Sequence, residues 1–222
     1  MPQILDGDDL NGQDLYPVFL KLRGKRCLVV GGGRVAYRKI LDLLDCGADI
    51  TAVAEEPIPE CIDIAAKGEL TLLVRRFRPE DIEGAFLVFA ATDDDSVNAE
   101  VSALARCKGI LVNVVDDPLK CDFFSGSVVK RGPLRIAVST GGSSPLIAQK
   151  IRGELEEQYS ESYGDFIETA GEMRKDILAS GCTEERKSLS LHWLAGEEAY
   201  TIFKNSGKET VWEELKKILF SF

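Results

Sequence analysis

Gly31-x-Gly33-x-x-Ala36 carries phosphate-binding chemistry. A first glycine allows a tight turn after a strand, a second lets backbone approach a pyrophosphate, and a small third residue lets the following helix pack close to a sheet. The helix that starts at Arg34 and Val35 would point free N–H groups and its positive dipole end at the phosphates. Glu55 and Glu56 lie roughly 20 residues further on, where an acid holds the ribose hydroxyls of NAD. A carboxylate there repels a 2′-phosphate, which favours NAD over NADP. A glycine-rich turn can also bind nothing. Here the apolar run Arg26–Val30 before it, the helical pattern after it and the acids beyond it support a dinucleotide site.

Four further places hold groups that could react or bind. Thr92 and Asp93 follow the apolar run Phe86–Ala91, at a strand's carboxyl end, where open α/β sheets take ligands. Asp94 and Asp95 suit a helix cap. Asn113 and Asp116 end another run, and Asp116 could accept a proton or meet a cation. Local features alone read Asp116 and Asp117 as the start of a turn before Pro118. Gly141-Gly142-Ser143-Ser144-Pro145 is a second glycine-rich helix entry that could hold a carboxylate or phosphate, or simply cap a helix. His192, the one histidine, sits in a helical, partly apolar stretch and reads as structural. The six cysteines form no CxxC pair, so no metal site is expected.

These groups need an alternating scaffold to bring them together. Short apolar runs at 26–30, 49–54, 70–74, 86–91 and 110–115 read as strands. Helical patterns separate most of them, which implies a parallel sheet covered on both faces. The pattern changes after Val115. Runs at 123–130 and 134–140 flank Arg131-Gly132-Pro133, a hairpin signal. From Leu146 the chain is helical in pattern, with breaks expected near Gly164, Ser180-Gly181 and Ser206-Gly207. The fold class is therefore α/β with a helical C-terminal part.

Composition narrows the function. The net charge of −10 disfavours general nucleic-acid binding. No apolar run reaches the roughly 18 residues of a membrane span. Residues 1–14 lack a secretion-signal layout and read as a loose tail, so a cytoplasmic location is expected. Within this acidic chain, residues 120–152 carry six basic groups (Lys120, Lys130, Arg131, Arg135, Lys150, Arg152) against Asp122 alone. Such an island fits an anionic ligand or the acidic surface of a partner subunit.

The chain resembles the dehydrogenase–ferrochelatase module of siroheme synthesis. The resemblance rests on Tyr16-Pro-Val-Phe19, Cys27 through Ala36 with Arg38-Lys39, Ala90 through Asp95 with Val97-Asn98, Asn113 through Asp116, Pro133-Leu134, and Ala137 through Pro145. It covers about residues 15–180 and, more weakly, the rest. It implies an N-terminal Rossmann domain over 15–122, a small β dimerisation region over 123–145 and a helical domain over 146–222, with substrate in a cleft between them. It also implies NAD-dependent oxidation of precorrin-2 to sirohydrochlorin by a homodimer, in some members followed by insertion of Fe2+. Asp116 matches the family's key aspartate, which reverses the local reading as a turn. Precorrin-2 bears many carboxylates. The resemblance therefore makes Lys120, Arg131, Arg135, Lys150 and Arg152, with Gly141, Gly142 and Ser143, candidates for substrate binding.

The chain departs from the family in places. Phe123-Phe-Ser-Gly-Ser127 replaces a run that holds a proline, and Thr140 stands where some members have a phosphorylatable serine. The fused methyltransferase module is not in the chain, so methylation would fall to another protein. A reading of another class, a nucleotide-sensing regulatory Rossmann domain, accounts for the glycine turn and Glu55. It leaves Asn113–Asp116, the Gly141 turn and the helical tail without a role.

Overall fold

The structure is a computed structural model that describes residues 15–220, so the expected N-terminal tail lies outside the described residues. The first compact unit includes the chain up to Ser125 together with Gly141–Ser143. Its centre is a parallel sheet of five strands: β1 (Arg26–Val30), β2 (Asp49–Ala54), β3 (Thr71–Val74), β4 (Leu87–Ala90) and β5 (Leu111–Val114), in the order β3-β2-β1-β4-β5. Val30 pairs with Val53 on one side and Ala90 on the other, so β1, β2 and β4 end together. The strand order reverses direction beside β1, and its carboxyl end is where such sheets bind ligands.

Burial on both faces explains the nearly continuous apolar strands. Cys27, Val29, Ala52 and Phe89 pack with Ala36, Ile40 and Leu43 of helix α1 (Arg34–Asp45) and Cys61 and Ile64 of α2 (Pro59–Ala66). Leu28, Val30, Val88, Val112 and Val114 pack on the opposite face with Val101 and Ala105 of α3 (Asp95–Cys107). The side chain of Asp94 caps α3, accepting from the N–H groups of Ser96 at 2.8 Å and Val97 at 3.3 Å. At about 25 cal/mol per Å² of buried apolar surface, these two layers supply most of the unit's stabilisation.

The second unit comprises Gly126–Thr140 and the chain from Ser144. Strands β6 (Ser127–Arg131) and β7 (Leu134–Val138) pair antiparallel, with Arg131 opposite Leu134 at the turn. The expected first strand of this hairpin starts four residues late. Phe123 is held instead by Phe89, ring centroids 5.4 Å apart, and by Asn113, so 123–126 cannot also pair in a ladder. Four helices follow: α4 (Pro145–Gln158), α5 (Glu161–Ala179), α6 (Glu184–Leu194) and α7 (Glu197–Phe220). Ser144 caps α4 and Pro145 takes its first position, as expected. Phe166, Ile177, Leu194, Val211, Leu215 and Leu219 make the core of this unit.

Two of the three expected helix breaks occur, at Ser180-Gly181 and at Gly207, where backbone with φ 81° kinks α7. The break expected at Gly164 does not. It falls at Tyr159-Ser160, and Gly164 lies inside α5.

Candidate active site at the carboxyl edge of the parallel sheet

Gly31 leaves β1 with φ 126°, and a Cβ on it would stand 2.2 Å from the carbonyl oxygen of Ala91. No larger residue fits this turn between two strand ends. The turn is tied down on both sides: the Gly31 N–H donates to Val53 O at 2.9 Å, and the Ile58 N–H donates to Gly32 O at 2.9 Å. Gly33 is the N-cap of α1 and supplies no side-chain cap, and a Cβ built on it meets no atom within 4 Å. The first-turn N–H groups, including those of Arg34 and Val35, therefore face an open cradle at the positive end of the helix. These residues fit a pyrophosphate.

Glu55 and Glu56 emerge exposed just past β2, beside that cradle. Sequence reasoning missed what holds Glu55. Its Oε1 accepts from Nε of Arg76 at 2.7 Å, and Arg76 comes from the end of neighbouring β3. Two adjacent arginines at a strand's carboxyl end were the available signal. The other, Arg75, makes a two-pronged ion pair with Asp81, which is only 7% exposed. The Arg75 guanidinium holds the Asp81 carboxyl below the usual carboxylate range, helped by the Arg78 N–H.

Beyond β4, the Thr92 hydroxyl donates to Oδ1 of Asn98 at 2.8 Å, and Nδ2 of Asn98 returns a bond to Thr92 O at 2.9 Å. This closes the loop and leaves Asp93 exposed at its tip. Asn113, expected to touch the cofactor, is buried. Its Nδ2 donates to Phe123 O at 2.9 Å, which anchors the chain after the site. Burial pushes the neighbouring Cys121 thiol up.

Asp116 follows β5 and is exposed, with φ 60°. It is the one non-glycine residue in the left-handed region among the described residues. Such a backbone costs roughly 1–2 kcal/mol in a non-glycine residue, less in Asp than in branched residues. Its carboxylate has no hydrogen-bond or ion-pair partner among the described residues. Asp117 differs: Lys120 lies 2.6 Å away and holds its carboxyl below the usual range. The free carboxylate and the glycine cradle share one edge of one sheet. They follow β5 and β1, two strand spacings or about 10 Å apart.

The basic candidates are dispersed and mostly engaged. Lys120 is in the first unit, paired with Asp117, while Arg131, Arg135, Lys150 and Arg152 are in the second. Arg131 is 14% exposed and donates to the carbonyls of Tyr159 and Glu156 as well as pairing with Glu161, so it is committed to holding the hairpin on its helices. Arg135 donates to Gly132 O and Leu134 O. Lys150 and Arg152 each pair one helical turn along with Glu154 and Glu156. Gly141 and Gly142 both have positive φ in the turn before Ser143. His192 bonds the Ser188 carbonyl and belongs to α6, as its sequence context implied. Among the described residues, no group of three His, Cys, Asp or Glu is placed to hold a metal, and no helix is long and apolar enough to cross a membrane.

Comparison with known proteins agrees with this geometry. An NAD(P)-binding family matches residues 18–127, and a family described as the central part of a sirohaem biosynthesis protein matches residues 131–158. A solved structure of SirC, precorrin-2 dehydrogenase, superposes with a TM-score of 0.77 at 30% identity, covering 91% of this chain and all of SirC. The chain belongs to the precorrin-2 dehydrogenase family. Siroheme synthases of Chromobacterium violaceum and Methylococcus capsulatus are 45% and 43% identical over 166 and 164 residues, about three quarters of this chain. The chain spans 35% of the length of each of these two relatives. The family's layout of parallel sheet, small antiparallel sheet and helical region is the one described above.

Proposed function

We propose that the protein oxidises precorrin-2 to sirohydrochlorin with NAD+, as a cytoplasmic homodimer in siroheme biosynthesis. The observation that carries this reading is Asp116: an exposed, unpartnered carboxylate on strained backbone, on the same sheet edge as an open phosphate cradle. Strain of this kind persists where the surrounding structure over-determines it, and it gathers at functional sites. The oxidation removes one hydride and one proton from the macrocycle, giving NADH and H+. Bound NAD+ supplies the hydride acceptor. The glycine turn and the N–H groups of Arg34 and Val35 hold its pyrophosphate, and Glu55 faces its ribose. Asp116 takes the proton and releases it to solvent.

Precorrin-2 is polyanionic. Within the first unit, the Lys120 ammonium and the N–H groups of Gly142 and Ser143 supply donors for its carboxylates. Insertion of Fe2+ as a second substrate is part of the proposal. It is supported by the identity to siroheme synthases and by a free carboxylate able to accept pyrrole protons as the metal enters. Leu146 and Ile147 lie largely exposed at the start of α4, which supports a surface shared with a second copy.

An anaerobic assay of precorrin-2 with and without NAD+, followed by Fe2+, tests the reading. Sirohydrochlorin that appears only with NAD+, and metal insertion above the uncatalysed rate, are expected of the wild type. Asp116→Ala should lose both by about a hundredfold or more. NAD+ binding with no product would replace the enzyme by a nucleotide sensor.

A further inference from the structure

Glu55 alone would exclude a phosphorylated ribose, but Glu55 is not alone. Arg76 reaches it from the neighbouring strand end, and the two charges cancel. The bond uses Nε of Arg76, and no other hydrogen bond or ion pair engages its guanidinium among the described residues. Arg76 is 86% exposed, so its two terminal nitrogens face solvent at the carboxyl edge of the sheet. It also lies within electrostatic reach of Asp94, at the end of the loop after β4. Arg76 thus stands at the carboxyl edge of the sheet beside Glu55, on the side of β2 that pairs with β3. Of the two carboxylate oxygens, Oε2 is left for ribose hydroxyls.

We infer that Arg76 sets cofactor choice, making the Glu55–Arg76 pair a ribose site that admits NADP+ alongside NAD+. With a 2′-hydroxyl, Glu55 accepts its hydrogen bond while Arg76 holds the carboxylate in place. With a 2′-phosphate, Arg76 offers a planar pair of N–H donors that match two phosphate oxygens. Nε stays on Glu55 while the two terminal nitrogens take the phosphate, so the Glu55 charge remains neutralised beside it.

The inference rests on the dinucleotide reading of the Gly31 turn, and binding measurements separate the two. Calorimetric titration of the full chain with NAD+ and with NADP+ reads the ratio of their affinities without turnover. The wild type is expected to bind both within about tenfold. Arg76→Ala should shift the ratio toward NAD+ by about tenfold or more, Arg76→Lys by less, and Glu55→Gln should shift it toward NADP+. Both substituted side chains are exposed, and an unchanged melting temperature verifies folding. NAD+ binding with no measurable NADP+ binding overturns this inference alone, as does an Arg76→Ala variant that weakens both nucleotides equally. Binding of neither nucleotide overturns the dinucleotide reading, and this inference with it.

Discussion

Asp116 and Asp117 are neighbours with the same side chain and opposite surroundings. Lys120 neutralises Asp117, while Asp116 is turned out by left-handed backbone and meets no partner among the described residues. Asp81 shows the purely structural use of the same group. Buried and gripped by Arg75 and the Arg78 N–H, it ties β3 to the turn before β4. Its lowered pKa fixes the sign of a pH effect. The stabilisation is fully present above the ordinary Asp value of about 3.9 and is lost as pH falls through the lower folded value. Asp81→Asn should cost about 2 kcal/mol at neutral pH in urea denaturation, with the gap to wild type closing as pH falls below the ordinary Asp range. A constant gap across that range would contradict this account. At this scale the sequence was half legible. The glycine turn could be read because its residues are adjacent. The Glu55–Arg76 pair could not, because it joins residues 21 apart that meet only once β2 and β3 lie side by side.

Strands and helices were more legible than single contacts, since apolar runs and caps are local signals. All five parallel strands and the caps Asp94 and Ser144 fall where the pattern placed them. The misreadings have a common cause in tertiary contact. Phe123-Phe-Ser-Gly126 has strand composition, yet packing on Phe89 and the bond from Asn113 claim it first. Gly164 was read as a helix break, but it is a contact point. A Cβ there would stand 2.6 Å from the Arg131 carbonyl carbon and 2.7 Å from the Gly132 nitrogen. This makes an opposed prediction possible. Helix propensity alone says that Gly164→Ala stabilises by about 1 kcal/mol. Collision with hairpin backbone that cannot move aside outweighs this gain, at roughly 1–3 kcal/mol of strain. The variant should therefore unfold at lower denaturant than wild type. A higher midpoint would mean that the hairpin and α5 do not pack as described.

On the scale of the whole molecule, the uneven charge was visible from the sequence, but its use was not. An island of six basic residues looks like one anion site when read along the chain. In the fold it is divided between two compact units, and Arg131 is spent inside one of them. Membership of the precorrin-2 dehydrogenase family rests on the molecule as a whole, since the likeness to SirC runs through sheet, hairpin and helices alike. The chemistry converges on one carboxylate. The most direct test is a single-turnover measurement of NADH formation from precorrin-2 and NAD+ under anaerobic conditions, comparing wild type with Asp116→Asn. Asparagine tolerates the same left-handed backbone, so fold and NAD+ affinity should hold while the rate falls by about a hundredfold or more. An Asp116→Asn variant that forms NADH at the wild-type rate would remove Asp116 from the reaction and contradict the account.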